Sequence, residues 1–91
     1  MSSERPDYLE AVVELREGAD ASRVERWLER HRLAPTRMVV GFLASGDASS
    51  FEHAFGIDPS APSAPDELPV RDELREDVAK VAIVPPKRTH Q

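Results

Sequence analysis

A period-two pattern of apolar residues begins at residue 8, and Val12 is an apolar exception among the intervening positions. Between Tyr8 and Arg16 every second residue is apolar, and these residues are Leu9, Ala11, Val13 and Leu15. A period of two predicts a strand with one buried face. Gly18 predicts the end of this strand.

The pattern becomes helical after Gly18. Asp20 or Ser22 can cap a helix, and Ser22 precedes Glu25 by three residues, which is capping-box spacing. One helix face then carries residues at i, i+3, i+4 and i+7, namely Val24, Trp27, Leu28 and His31. We predict a helix that ends near Arg32.

The segment from Thr36 to Ser45 (TRMVVGFLAS) is rich in apolar and β-branched residues, and Pro35 before it ends the first helix. We interpret this segment as two short strands in a hairpin about Gly41. One strand bent at Gly41 is the alternative.

A second, shorter helix is predicted after the hairpin. Asp47 or Ser49 caps it, Gly56 ends it, and its buried stripe is Phe51, Ala54 and Phe55. The repeated Ser-Ala-Pro of Ser60–Pro65 then predicts an extended loop.

The last third of the chain is predicted to form a helix followed by a strand. Arg71–Lys80 is predicted helical, because Leu74, Val78 and Val81 are spaced i, i+4 and i+7. Val81–Val84 is predicted to be the closing strand, and the prolines at 85 and 86 end it.

This order of elements predicts an α+β fold of the ferredoxin-like, split βαβ type, with an antiparallel sheet and two main helices on one face. We expect a single domain over residues 8–86, a flexible N-terminus over 1–7 and a flexible tail over 87–91. A chain of 91 residues has room for one hydrophobic core.

Composition narrows the classes of partner. A formal charge of −5 repels nucleic acid and anionic lipid surfaces, so we expect neither as a partner. The chain has no cysteine, which excludes disulfides and thiolate chemistry. No basic start leads into an apolar run, so we expect a cytoplasmic protein if the chain is complete.

Candidate catalytic and metal sites have simpler explanations. His31, His53 and His90 lack the spacing of metal ligands, and His31 is predicted to pack at the helix boundary. The local set Ser45, Asp47, Ser49 and His53 resembles a triad in composition, yet helix capping accounts for its Ser and Asp residues. We therefore expect no enzyme activity and no cofactor.

The acidic residues near the end, Glu73, Glu76 and Asp77, are interpreted as a solvated helix face offset by Arg71 and Arg75. Other activities found on this fold class are not supported. The chain has no Asn for an acylphosphatase-like site. Its few aromatic residues occupy core-like positions instead of a basic RNA-binding surface.

Several short motifs occur in a suggestive order: Val24–Leu28 (VERWL) with Leu33, Gly46-Asp47 before Phe51–Gly56 (FEHAFG), and Leu68-Pro69. The residues that carry them are Trp27, Leu28, Phe51, Ala54, Phe55, Gly56, Leu68, Pro69, Leu74, Val78 and Val81. Together they resemble the later part of sedolisin-type (pro-kumamolisin) protease activation propeptides, which are related in fold to subtilisin propeptides. The chain departs from that pattern at His31-Arg32, where the family has a glycine before the leucine.

The resemblance implies a protein-binding module that acts as a stand-alone inhibitor or folding helper of a subtilisin-like or sedolisin-like protease. The sheet would dock through its helix-free face. The segment after the last strand would lie in the protease cleft, which assigns this role to Pro85, Pro86, Lys87, Arg88, Thr89 and His90. If the two prolines only stop an edge strand, the tail is solvated. The alternative function is a non-catalytic adaptor that reuses the fold for self-association or docking to a larger complex.

Overall fold

The computed structural model describes residues 8–84. Within them the chain forms five strands, two α-helices and a 3-10 turn. The strands are β1 (Tyr8–Leu15), β2 (Ala34–Arg37), β3 (Gly41–Asp47), β4 (Glu67–Leu68) and β5 (Val78–Ile83). The helices are α1 (Ala21–Arg30) and α2 (Ala48–Phe55), and the 3-10 turn is Asp72–Leu74. The predicted flexible ends, 1–7 and 87–91, lie outside the described residues, as do residues 85 and 86 at the end of the predicted domain.

The sheet has the strand order β2-β3-β1-β5-β4, and every neighbouring pair is antiparallel. Without the two-residue β4, this is the ferredoxin-like order, so the predicted fold class is confirmed. The short β4 adds an edge beside the closing strand.

One hydrophobic core lies between the sheet and both helices. The buried residues of α1 are Val24, Trp27 and Leu28, and those of α2 are Phe51, Ala54 and Phe55. From the sheet, β1 contributes Ala11 and Val13, β3 contributes Phe42 and Ala44, and β5 contributes Val78 and Val81. The predicted alternation in β1 and both helix stripes are therefore confirmed.

The structure shows which of the predicted residues cap the two helices. Asp20 caps α1 by accepting a hydrogen bond from the Arg23 N–H at 3.1 Å, so the predicted Ser22 alternative is wrong. Asp47 caps α2 in the same way, through the Ser50 N–H at 2.8 Å. The left-handed Gly56 ends α2, as predicted.

The predicted helix over residues 71–80 is wrong. Only Asp72–Leu74 forms a turn of 3-10 helix, and β5 starts at Val78 instead of Val81. Leu74, Val78 and Val81 are all buried, as their spacing predicted. They are buried from a 3-10 turn and a strand instead of from one face of a helix. Pairing with β1 decides the outcome, because a helix here would leave backbone groups of β1 without partners.

The predicted hairpin is present, with its turn placed before Gly41. Met38 and Gly41 exchange backbone hydrogen bonds of 2.8 and 3.2 Å, so Val39 and Val40 form the loop and Gly41 opens β3. A Cβ atom at position 41 would collide with the carbonyl oxygen of Val13. The glycine therefore permits the close approach of β3 to β1.

Candidate functional site

The helix-free face of the sheet carries a row of mostly apolar side chains. The strand register places Thr36 opposite Leu43, Leu43 opposite Val12, and Val12 opposite Ala82. These residues alternate with the core residues of their strands, so they lie on the opposite face. Val12, Leu43 and Ala82 are half-buried although no helix covers them. We call Thr36, Leu43, Val12 and Ala82 the apolar row.

Charged side chains border the apolar row. Glu14 of β1 lies opposite Lys80 of β5 on one side of the row, and Glu10 of β1 lies on the other side. Glu67 lies at the β4 end of the row, with one carboxylate oxygen 3.9 Å from the Lys80 Nζ. The face thus has an apolar centre and a mainly acidic border.

The closing strand is an interior strand of the sheet. β5 lies between β1 and β4. The strand before the two prolines is therefore not an edge strand, and that part of the hypothesis is wrong. The Ile83 N–H donates to the Asp66 carbonyl at 2.8 Å, and the Val84 N–H donates to the Glu10 carbonyl at 2.9 Å. The hypothetical cleft segment, residues 85–90, lies outside the described residues.

The edge of β2 is poorly suited to pairing with another strand. The mutual bonds of Met38 and Gly41 fix the ladder, so Pro35 and Arg37 direct their backbone groups away from β3. Pro35 has no N–H, which leaves Arg37 as the outward donor of this strand. A partner is therefore better accommodated by a face than by this edge.

The hairpin loop exposes apolar side chains that were predicted to lie in strands. Val39 is fully exposed, and Met38 and Val40 are 39% and 46% exposed. These three residues form what we call the hairpin tip. The tip lies at the end of the sheet where β1 finishes, because the Leu15 N–H donates to the Val40 carbonyl.

Asp77 carries the most buried charge among the described residues, although its sequence context predicted a solvated helix face. Asp77 is 3% exposed and accepts from the Asp20 N–H at 3.0 Å and from the Arg23 Nε at 2.8 Å. The hydrogen bond from Arg23, followed by that from Asp20, holds the pKa of Asp77 below its ordinary value. Glu73, from the same predicted face, accepts from Trp27 Nε1 at 3.1 Å. Asp77 thus fastens the start of β5 to α1, and Glu73 fastens the 3-10 turn to the same helix. Glu73 and Glu76 are exposed as predicted, so the interpretation as a solvated face is wrong for Asp77.

A groove of about 650 Å³ lies where α1 ends, β3 ends and α2 begins. Its wall brings together the triad-like set of Ser45, Asp47, Ser49 and His53. Asp47 is engaged as a helix cap, and the hydrogen bonds of residues 8–84 include none between His53 and a serine hydroxyl. Ser50 lowers the pKa of Asp47 through its N–H and its hydroxyl, so this carboxylate stays ionised. The triad is therefore not assembled.

His31 packs at the boundary as predicted. It is half-buried, its ring stacks on Trp27 with 4.0 Å between centroids, and its Nδ1 lies 2.9 Å from the Trp27 carbonyl. The His53 ring is 6.3 Å away, closer than the sequence separation suggested. Within residues 8–84, no three His, Asp or Glu side chains are grouped to hold a metal ion. His90 is outside that range.

The residues that carry the family resemblance are mainly packing residues. All of them are buried except Gly56 and Pro69, which end α2 and β4. They position the sheet and its helices and supply no chemistry. The polar residues that sequence reasoning missed are Arg30 and Arg32 in the groove wall.

No family model, no curated protein and no solved structure matches this chain. Neither helix of the described part is long and apolar enough to cross a membrane.

Proposed function

We propose that this protein is a protein-binding module that inhibits, or assists the folding of, a subtilisin-like or sedolisin-like serine protease. The observation that carries the proposal is the apolar row on the helix-free face. The ordered motifs that resemble protease propeptides suggest the class of partner, and their fold class agrees with the one found here.

The helix-free face has the composition of a docking surface. Specific interfaces combine a desolvated apolar centre with a polar border. Here the apolar row is the centre, and Glu10, Glu14, Glu67 and Lys80 are the border. The excess of acidic groups favours a partner surface with basic groups.

The closing strand supports the tail hypothesis by fixing where the tail begins. Hydrogen bonds to Asp66, directly before β4, and to Glu10 of β1 hold Ile83 and Val84. A segment that follows Val84 therefore starts at a fixed position relative to the docked face. Such preorganisation reduces the entropy lost when the segment enters a cleft.

The proposal is tested by titrating the 91-residue chain against subtilisin and against a sedolisin-type protease and measuring peptidase activity. We expect inhibition by the full chain and its loss on deletion of residues 87–91. Leu43→Glu should weaken inhibition at least about tenfold, because it places a charge in the apolar centre of the interface. Val39→Glu is the matched control, since it introduces the same charge at the exposed hairpin tip.

A non-catalytic adaptor is the second candidate, and the hairpin tip favours it. Three exposed apolar residues at the end of a hairpin are not needed for docking through the sheet face. If neither protease is inhibited and Val39→Glu abolishes capture of a non-protease partner from the native host, the inhibitor proposal is wrong and the adaptor is supported. Circular dichroism of both variants confirms that they fold.

A further inference from the structure

Arg32 adopts a backbone conformation that normally belongs to glycine. Its φ of 67° is the only positive value at a non-glycine residue within residues 8–84. The Arg32 N–H donates to the Glu29 carbonyl, and the Leu33 N–H donates to the Leu28 carbonyl. These two bonds define a Schellman motif in which Arg32 occupies the left-handed position. The equivalent position after α2 is Gly56.

An arginine at this position is held against a local steric preference. Left-handed backbone is strained for residues with a Cβ atom, and such strain concentrates at functional positions. The chain uses glycine at the end of α2, so the fold itself does not require a side chain in this motif. The presence of Arg32 therefore points to a use for its guanidinium group.

The groove beside α1 shows what that use can be. Arg30 and Arg32 both line it, and neither lies within 4 Å of a carboxylate among the described residues. Tyr8 and Ser49 add hydroxyl groups to the wall, and Asp47 is the one carboxylate that residues 8–84 place there. The charge of Arg32 helps to lower the pKa of Asp47, after the larger effect of the hydrogen bonds from Ser50. No ion pair within 4 Å joins Asp47 to either arginine, so both guanidinium groups keep donors for an external group.

The ligand chemistry follows from the two guanidinium groups. Arginine presents a planar fork of donors that binds a carboxylate through two parallel hydrogen bonds. A long polyanion is disfavoured, because the chain as a whole carries a charge of −5. A groove of this size accommodates a short segment with several side chains. A peptide that carries two or more carboxylates meets all of these conditions.

We propose that the groove between the end of α1 and the start of α2 binds an acidic peptide segment of a protein partner through Arg30 and Arg32. This site is distinct from the apolar row and does not depend on the partner being a protease. Its test uses a peptide probe, so its failure would leave the inhibitor proposal standing.

The test is fluorescence anisotropy with a fluorescein-labelled hexaglutamate peptide at low salt. We expect saturable binding that weakens about tenfold with Arg30→Gln and with Arg32→Gln, since each removes a charged hydrogen-bond donor. Arg26→Gln is the matched control, because Arg26 is an exposed residue of α1 outside the groove wall. It should leave the affinity within about twofold.

Arg32→Gly separates binding from folding. It removes the guanidinium group but retains the preferred backbone, so it should lose affinity as Arg32→Gln does while the domain remains folded. The proposal is overturned if hexaglutamate shows no saturable binding, or if Arg26→Gln weakens it as much as the groove variants do. Tripolyphosphate that binds through the same arginines more tightly than the peptide would replace the peptide assignment with a phosphate one.

Discussion

Replacing Arg32 with glycine should stabilise the domain. Left-handed backbone destabilises a residue with a Cβ atom by about 1–2 kcal/mol, and glycine removes that strain. Glycine also gains conformational freedom in the unfolded chain, which offsets about 0.4–1 kcal/mol of the benefit. The net gain in the free energy of unfolding is about 1 kcal/mol, which for a domain of this size raises Tm by about 4–8 °C.

Gly18 provides an internal calibration of this estimate. Its φ is 80°, and a Cβ atom built there meets no other atom within 4 Å. Gly18→Ala therefore introduces the same backbone strain without a steric clash, and it should lower the free energy of unfolding by about 1 kcal/mol. The two substitutions should have effects of similar size and opposite sign.

The assay is urea denaturation at pH 7, followed by Trp27 fluorescence, because Trp27 is buried in the core and reports its loss. An Arg32→Gly variant that is less stable than the natural chain would refute the reasoning. It would mean that contacts of the Arg32 side chain outweigh the strain of its backbone. Similar m values in all three proteins are required for the comparison.

Two further predictions concern the buried carboxylate and the close contact of β3 with β1. The lowered pKa of Asp77 stabilises the fold above the ordinary Asp pKa of about 4, and this contribution is lost as pH falls through the lower folded-state value. The Asp77→Asn variant should therefore be less stable than the natural chain at pH 7 and should lose less stability on acidification. Urea midpoints that fall equally in the variant and the natural chain between pH 7 and 3 would contradict this. Gly41→Ala should destabilise the domain by about 3 kcal/mol or more, because the new Cβ collides with backbone of β1. Gly46→Ala is its control, with an expected loss of about 1–2 kcal/mol. There the Cβ meets a side-chain methyl group of Leu33, and the nearest backbone atom, the Arg32 carbonyl oxygen, is 3.3 Å away. Equal losses in thermal unfolding would refute the steric argument.

Local patterns predicted the elements whose signal is local. The alternation in β1, the apolar stripes of α1 and α2, and the stop at Gly56 appear in the structure as predicted. Each of these depends on side-chain period or on backbone freedom within a few residues. The position of the hairpin turn was missed because Gly41 signals a close approach to β1, which is a contact between distant parts of the chain.

The candidate site was less predictable for the same reason. Glu73 and Asp77 look like a solvated helix face in the sequence, and only the position of the segment before β5 against the α1 region gives them partners. Arg32 carried a readable signal, since an arginine directly before Leu33 stands where a helix end prefers glycine. Its meaning depends on the groove, whose walls come from five separate elements.

The sequence by itself determined the class of fold, the faces of both helices and the buried face of β1, because apolar periodicity encodes which side of each element avoids water. The tertiary structure decided where the last strand begins, which acids are buried and which basic residues share a groove. Those features arise from pairing and packing between residues far apart in the chain. Local propensity holds no information about such contacts, and here they overrode it between residues 71 and 80.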